Sequence, residues 1–290
     1  MTAPFGRVLT AMVTPFTPDG ALDLPRAAEL ATRLVDQGND GLVISGTTGE
    51  GPTTSRAEKA DLLRAVVDAV GGRAHVLAGV GTNDTAHSIE LAQDAEKAGA
   101  TGLLAVTPYY SKPPQAGVIA HTVAVTEATD LPVMLYDIPG RTGLALQHET
   151  LVELGRHPQV VAVKDAKDDL AATTRLLHDS DLAVYSGTDA LNLPLLAVGA
   201  VGFVSVISHV VTPQLVSLLT AFTAGDTAAA AAANLQLQPV WTGLFRNQGV
   251  ILTKAALALQ GFAVGGVRLP LVEATSDEVA QLRRDLEAVL

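Results

Sequence analysis

A chain of 290 residues that is 48% hydrophobic and only 4% aromatic has apolar material for one large α/β domain or two ordinary ones. Its formal net charge of −11, with no basic run anywhere, excludes nucleic acid and anionic membrane surfaces as partners, so an anionic substrate needs a local positive group. The absence of cysteine removes both a disulfide framework and a thiolate nucleophile.

Residues 1–7 lack a charged start followed by an apolar stretch and a small-residue cleavage site, and no apolar run reaches membrane-spanning length. The expectation is a soluble cytoplasmic protein. Short apolar runs then recur at 8–16, 41–45, 75–80, 102–107, 132–138, 160–166, 182–186 and 202–208, which predicts eight strands. Between them lie amphipathic stretches at 25–37, 55–70, 84–98, 115–129 and 168–179, with helix starts marked by Ser55, Asp84 and Asp168. Strand and helix alternating at this spacing favour parallel pairing, because parallel neighbours need a crossover where antiparallel ones need only a turn. Eight such units predict a closed (β/α)8 TIM barrel. An open doubly wound sheet often carries a Gly-rich dinucleotide turn after its first strand, and here Phe16-Thr17-Pro18-Asp19-Gly20 follows instead.

After the eighth run only helical patterns remain, at 212–224, 227–246, 250–259 and 276–290. The alanines at 228–233 read as strong helix propensity, and Pro239 is expected to kink or break its helix. No Pro/Gly/Ser linker intervenes, so residues 1–211 are read as a catalytic barrel and 212–290 as a helical region packed on it.

In such a barrel the C-terminal strand ends build the active site, and the list of what they deliver is specific. The second run ends in Gly46-Thr47-Thr48-Gly49-Glu50-Gly51, the fourth in Thr107-Pro108-Tyr109-Tyr110, the fifth in Tyr136-Asp137-Ile138-Pro139-Gly140-Arg141, the sixth in Lys164, and the seventh in Ser186-Gly187-Thr188-Asp189. Lys164 stands out, because an ammonium inside a buried strand is out of place. Burial there disfavours the charged form and yields a nucleophilic amine near neutral pH. The plainer reading is a strand-end lysine that reaches solvent or pairs with a carboxylate such as the adjacent Asp165. The glycine-rich turn lacks the Gly-Lys-Ser/Thr ending of a Walker phosphate loop, but its two hydroxyls and backbone N–H groups suit a small carboxylate. Tyr136 is either a core tyrosine or, beside an amine, a proton shuttle. Arg141 is either a surface ion-pair partner or a fork for a substrate carboxylate. The seven histidines are scattered and follow no metal-ligand spacing, so no metal is expected.

These motifs, with Thr10-Ala11-Met12-Val13-Thr14-Pro15-Phe16 near the start and Arg268-Leu269-Pro270 near the end, resemble a known group. The chain is similar, almost end to end, to the pyruvate-dependent Schiff-base aldolases of the dihydrodipicolinate synthase and N-acetylneuraminate lyase superfamily. Within it the likeness is to the dihydrodipicolinate synthase family, and Lys164-Asp165-Ala166-Lys167 is worded most like its actinobacterial branch. The resemblance implies that Lys164 forms an imine with pyruvate, with no separate cofactor, and that the enamine attacks L-aspartate 4-semialdehyde. It implies that Tyr136 moves protons through Thr47 and through Tyr110, which reaches in from a neighbouring subunit of a homo-oligomer, a tetramer built as a dimer of dimers. It assigns Thr48 and the backbone at Val204 to the pyruvate carboxylate, Arg141 to the semialdehyde carboxylate and Gly187 to its amino group.

Two alternatives stay open: a sister aldolase acting on sialic acid or a 2-keto-3-deoxy sugar acid, which usually lacks the arginine after Pro139-Gly140, and a catalytically silent barrel kept for binding. Lysine-inhibited members of the family hold the end product at a subunit interface, with a glutamate for its amino group. The corresponding positions here are Pro52, Arg56, Lys59, Asn83 and His87, so His87 replaces the glutamate and two cations stand near. Weak feedback inhibition is the expectation.

Overall fold

The computed structural model describes residues 2–289. Met1, at the head of the segment read as lacking a leader, and Leu290, the last position of the expected final helix, lie outside the described residues.

The eight apolar runs become eight parallel strands closed into a barrel: β1 Val8–Ala11, β2 Gly41–Ile44, β3 His75–Gly79, β4 Gly102–Val106, β5 Val133–Asp137, β6 Val160–Asp165, β7 Ala183–Ser186 and β8 Gly202–Ser205. Around them run α1 Leu24–Asp36, α2 Arg56–Val70, α3 Thr85–Lys97, α4 Gln115–Thr126, α5 Pro139–Thr142, α6 His148–Leu154, α7 Leu170–Asp179, α8 Asn192–Val198 and α9 Ser208–Thr223. Three further helices follow, α10 Thr227–Leu244, α11 Gly249–Leu259 and α12 Ser276–Glu287. The expected first strand overshoots most, because Met12, Val13 and Phe16 are as buried in the loop after β1 as residues of the strand.

Alternation along each strand sorts the apolar residues into two sets. Leu42, Ile44, Leu103, Leu135, Val163 and Val184 face outward under the helices, whereas Leu9, Val43, Leu77, Leu104, Met134 and Tyr185 fill the barrel. Both faces are dry, which is why the strands read as continuous apolar runs. The seam between β1 and β8 is held by His209, wholly buried, whose Nε2 accepts from Val13 N at 3.0 Å while Nδ1 donates to Val206 O at 2.8 Å. Those two partners fix the neutral tautomer, and burial pushes the imidazole down to about 4.

Helix starts follow the expected chemistry with one shift. Ser55 and Glu58 form a capping box on α2, and Asp84 caps α3. On α7 the cap is Asp169, not Asp168, which sits at φ 63° and accepts from Thr188 Oγ1 at 2.8 Å. In the C-terminal region α9 starts at Ser208, ahead of the expected 212, and bends at Val211 (φ −135°), just before Pro213. Of the kink or break expected at Pro239, the break is corrected: α10 runs through it as one helix. The carbonyl left without a donor is that of Leu235, a residue 73% exposed, so water can serve it and the helix survives the missing bond. α10 packs on α8 and α9, so the helical region lies against the barrel. Among the described residues no helix is long and apolar enough to cross a membrane.

Candidate active site

In the parallel register β5 and β6 place Tyr136 directly beside Lys164, and alternation turns both side chains into the barrel mouth. Lys164 is 5% exposed and its Nζ lies 4.2 Å from the centroid of the Tyr136 ring. Asp165, one residue on, faces the opposite side of the strand, where it accepts from Lys167 N at 3.0 Å and Thr173 Oγ1 at 2.6 Å. Among the described residues the Lys164 amine therefore has no ion pair, and the plainer reading of a lysine paired with its neighbour does not hold. Gly187 makes room for it: a Cβ there would stand 3.0 Å from Lys164 Cγ and Cε.

A cavity of about 760 Å³ opens over this pair, lined by Thr47, Thr48, Tyr136, Arg141, Lys164 and Gly187. The turn that carries the threonines is stitched from below, with Thr14 Oγ1 donating to Gly49 O at 2.6 Å and Gly51 N to Gly46 O at 3.1 Å. The N–H groups and hydroxyls of Thr47 and Thr48 have no protein partner among the described residues, so four donors remain for a carboxylate. Arg141 rides on the single turn of α5 and is exposed, without an ion pair among the described residues. The chain around it is fixed by Asp137, wholly buried, which accepts from Leu146 N at 3.2 Å and lies 3.4 Å from Lys167 Nζ. Burial pushes the Asp137 carboxyl up to about 6, against the pull of Lys167.

Two of the eight expected residues have their side chains off the cavity wall. Val204, expected to border the site through its backbone, turns its side chain into the barrel interior beside Leu9, and Val206, two residues on along the same face, lines the cavity. Tyr110 is 88% exposed and is held at φ 72°, a left-handed conformation that a bulky residue rarely adopts. No hydrogen bond joins the hydroxyls of Tyr136, Thr47 and Tyr110 among the described residues. The far wall is new: Trp241 of α10, Phe245 just past its end and Val250 of α11 close the cavity from the C-terminal region. The chain's single tryptophan, four residues before a phenylalanine in a helix, was the only signal the sequence offered for it.

A second cavity of about 390 Å³ adjoins the first, and Thr47, Tyr136 and Arg141 line both. Pro52, Lys59, Asn83 and His87 line it as well, whereas Arg56 turns away to pair with Glu90 and Asp94. Lys59 Nζ donates to Gly51 O at 2.7 Å, to Thr54 Oγ1 at 2.8 Å and to Thr54 O, and burial pushes it down to about 8. Asp84 also borders this cavity, but its carboxylate is engaged by the N–H groups of Ala86 and His87. Among the described residues no group of three His, Cys, Asp or Glu is placed to hold a metal ion.

The Dihydrodipicolinate synthetase family is matched over residues 4–289. The chain is 65% identical to the 4-hydroxy-tetrahydrodipicolinate synthase of Acidothermus cellulolyticus over 286 residues, 99% of this chain and 93% of that protein. It is 64% identical to a second such enzyme, from Streptomyces coelicolor, with 98% and 95% covered. A solved dihydrodipicolinate synthase of Cyanidioschyzon merolae with lysine bound superposes with a TM-score of 0.97 at 41% identity, covering 99% of both chains.

Proposed function

The chain belongs to the Dihydrodipicolinate synthetase family, and from that membership we propose that it condenses pyruvate with L-aspartate 4-semialdehyde in the diaminopimelate route to lysine. It does so as a class I aldolase-type lyase working in the cytoplasm. The observation that carries this is a nearly buried Lys164 amine over the Tyr136 ring, without an ion pair among the described residues, in a cavity also lined by the Thr47 and Thr48 donors and the Arg141 guanidinium.

Lys164 Nζ adds to the C2 carbonyl of pyruvate and water leaves, giving an imine whose positive charge makes the methyl group acidic. Loss of a C3 proton gives the enamine, which attacks the aldehyde carbon; the amino group of the second substrate then displaces Lys164 and closes the ring. No separate cofactor takes part, since the covalent imine on Lys164 is the electron sink. Thr48, with the backbone of its turn and of Val204, holds the pyruvate carboxylate, Arg141 takes the semialdehyde carboxylate, and the Gly187 backbone meets its amino group. Tyr136 moves the protons, relayed by Thr47 and Tyr110 of the partner subunit. Borohydride added with pyruvate tests the scheme: one reduced pyruvyl group at Lys164 is expected, and no label, or label elsewhere, overturns it. A coupled assay run beside N-acetylneuraminate and 2-keto-3-deoxygluconate separates the sister aldolases, which Arg141 disfavours.

A homotetramer built as a dimer of dimers is part of the same proposal, as is the division into a barrel of residues 1–211 and a helical region of 212–290. Supporting the oligomer is Tyr110, an aromatic held in a strained conformation and pointed at solvent. Tyr110→Phe is expected to slow turnover by about tenfold or more, the scale of a lost proton-transfer group. Sedimentation should show an unchanged assembly, and full activity would remove Tyr110 from the relay.

Weak inhibition by L-lysine follows from the second cavity. Lys59 and His87 stand where a lysine ammonium needs a carboxylate, and Asp84, which borders this cavity, already accepts through Oδ1 from the first N–H groups of α3. One lost charge-assisted contact weakens binding by ~1.5 to 3 kcal/mol, roughly ten- to hundredfold. A titration giving half-inhibition below about 1 mM, equivalent to ~4 kcal/mol of binding, contradicts this.

A further inference from the structure

Beneath the turn that carries Thr47 and Thr48 lies a buried ion pair that none of the steps above uses. Glu50 is 3% exposed, Lys254 on α11 is 4% exposed, and Lys254 Nζ stands 2.8 Å from Glu50 Oε1. Oε1 accepts no aligned hydrogen bond among the described residues, so the ammonium charge is its compensation. The other oxygen, Oε2, accepts from Arg268 N at 2.9 Å. Lys254 Nζ also donates to Gly266 O at 2.5 Å, and both it and the Arg268 guanidinium lie 4.3 Å from the centroid of the Phe16 ring.

From there Arg268 reaches around the outside of the turn. Its guanidinium donates to Thr53 O at 2.8 Å, to Gly20 O at 2.7 Å and to the Glu58 carboxylate at 2.6 Å. The strand of chain that presents it comes so close that any Cβ at Gly265 would lie 1.8 Å from Phe16 O. Glu50 itself is held at φ 54°, left-handed backbone that a glutamate adopts only under constraint. The turn is thus gripped at Glu50 and again at Thr53 by residues more than two hundred positions away in the chain.

A buried ion pair is a weak source of stability, because desolvation offsets its attraction. A constraint on backbone geometry is the better account of it. We propose that Lys254 and Arg268 are positioning residues for the pyruvate carboxylate: through Glu50 and Thr53 they set the Thr47–Thr48 donors at a fixed distance from Lys164. This rests on the pyruvate reading above. It also gives the C-terminal region a task in the first chemical step, since the barrel by itself lacks the partner of Glu50.

The test is borohydride trapping at graded pyruvate concentrations on the full-length wild type, on Arg268→Gln and on the double variant Glu50→Gln/Lys254→Met, which removes both charges while keeping volume. Expected is wild-type plateau labelling at Lys164 in all three, with half-saturation by pyruvate raised about tenfold or more in both variants. The KM for the semialdehyde should stay within about twofold in the coupled assay. Unchanged pyruvate half-saturation with a lowered melting temperature makes the grip merely structural and overturns the proposal, as does an equal rise for both substrates. Should the double variant not fold, Arg268→Gln decides, because Arg268 and its partner Glu58 are both partly exposed and the backbone N–H to Glu50 is kept. A wild type that takes no label overturns the pyruvate reading, and this inference with it.

Discussion

Replacing Lys164 with alanine is expected to end pyruvyl labelling and lower kcat/KM by about 10⁴-fold or more, the scale on which loss of a covalent nucleophile acts. That is at least ~5 kcal/mol of transition-state stabilisation, more than any neighbouring contact supplies. The fold should survive, for a reason specific to this site. Breaking a buried ion pair leaves an orphaned charge and is strongly destabilising, but among the described residues the Lys164 amine, which lies over the Tyr136 ring, has no counter-charge to orphan. Only the packing of its stem against Gly187 and Tyr136 is lost, in a cavity already open to water, so unfolding should shift by no more than about 2 kcal/mol. Circular dichroism and a denaturant titration check the fold, and trapping with mass measurement checks the adduct. An adduct that persists in Lys164→Ala would move the chemistry to another amine.

Arg141→Ala is expected to separate the two substrates. A guanidinium that grips a carboxylate through two charge-assisted bonds contributes about 2 to 3 kcal/mol in a partly desolvated site, so kcat/KM for the semialdehyde should fall roughly thirty- to 150-fold. Pyruvate saturation, read by trapping in the absence of the aldehyde, should hardly move, because the proposal gives the pyruvate carboxylate to the Thr47–Thr48 turn and not to Arg141. Arg141→Lys should recover only part of the loss, since an ammonium keeps the charge without the planar fork. Stability should be nearly unaffected, as Arg141 is exposed and makes no ion pair among the described residues. Equal losses for both substrates would make Arg141 a support of the α5 turn and return the sister-aldolase reading to consideration.

How legible the site was depends on how each residue comes to be there. Lys164 and Tyr136 could be found from sequence because each breaks a local pattern, a charge and a hydroxyl inside apolar runs whose strand character was already clear. The Thr47–Thr48 turn and Arg141 could be found because strand ends in a closed parallel barrel share one face. Val204 was assigned by resemblance for its backbone alone; its side chain lies in the barrel interior, and Val206, which the resemblance did not name, is on the cavity wall. That difference is one of depth along a strand, and neither periodicity nor composition carries depth. Pro239 is a similar case: the local rule is sound, but whether a missing hydrogen bond breaks a helix depends on whether water reaches the freed carbonyl.

By itself the sequence determined the alternation of strands and helices, the parallel barrel that alternation requires, and the anomalous lysine inside an apolar strand, because these rest on periodicities and local exceptions that a single segment displays. Only the tertiary structure decided that Lys164 is free of Asp165, that Trp241 and Phe245 close the cavity, and that Lys254 and Arg268 hold the turn at Glu50. Each of those is a meeting of residues on different elements or on opposite faces of one strand. Such meetings are set by barrel closure and by the path of the C-terminal helices across it, and no local pattern in the chain encodes that path.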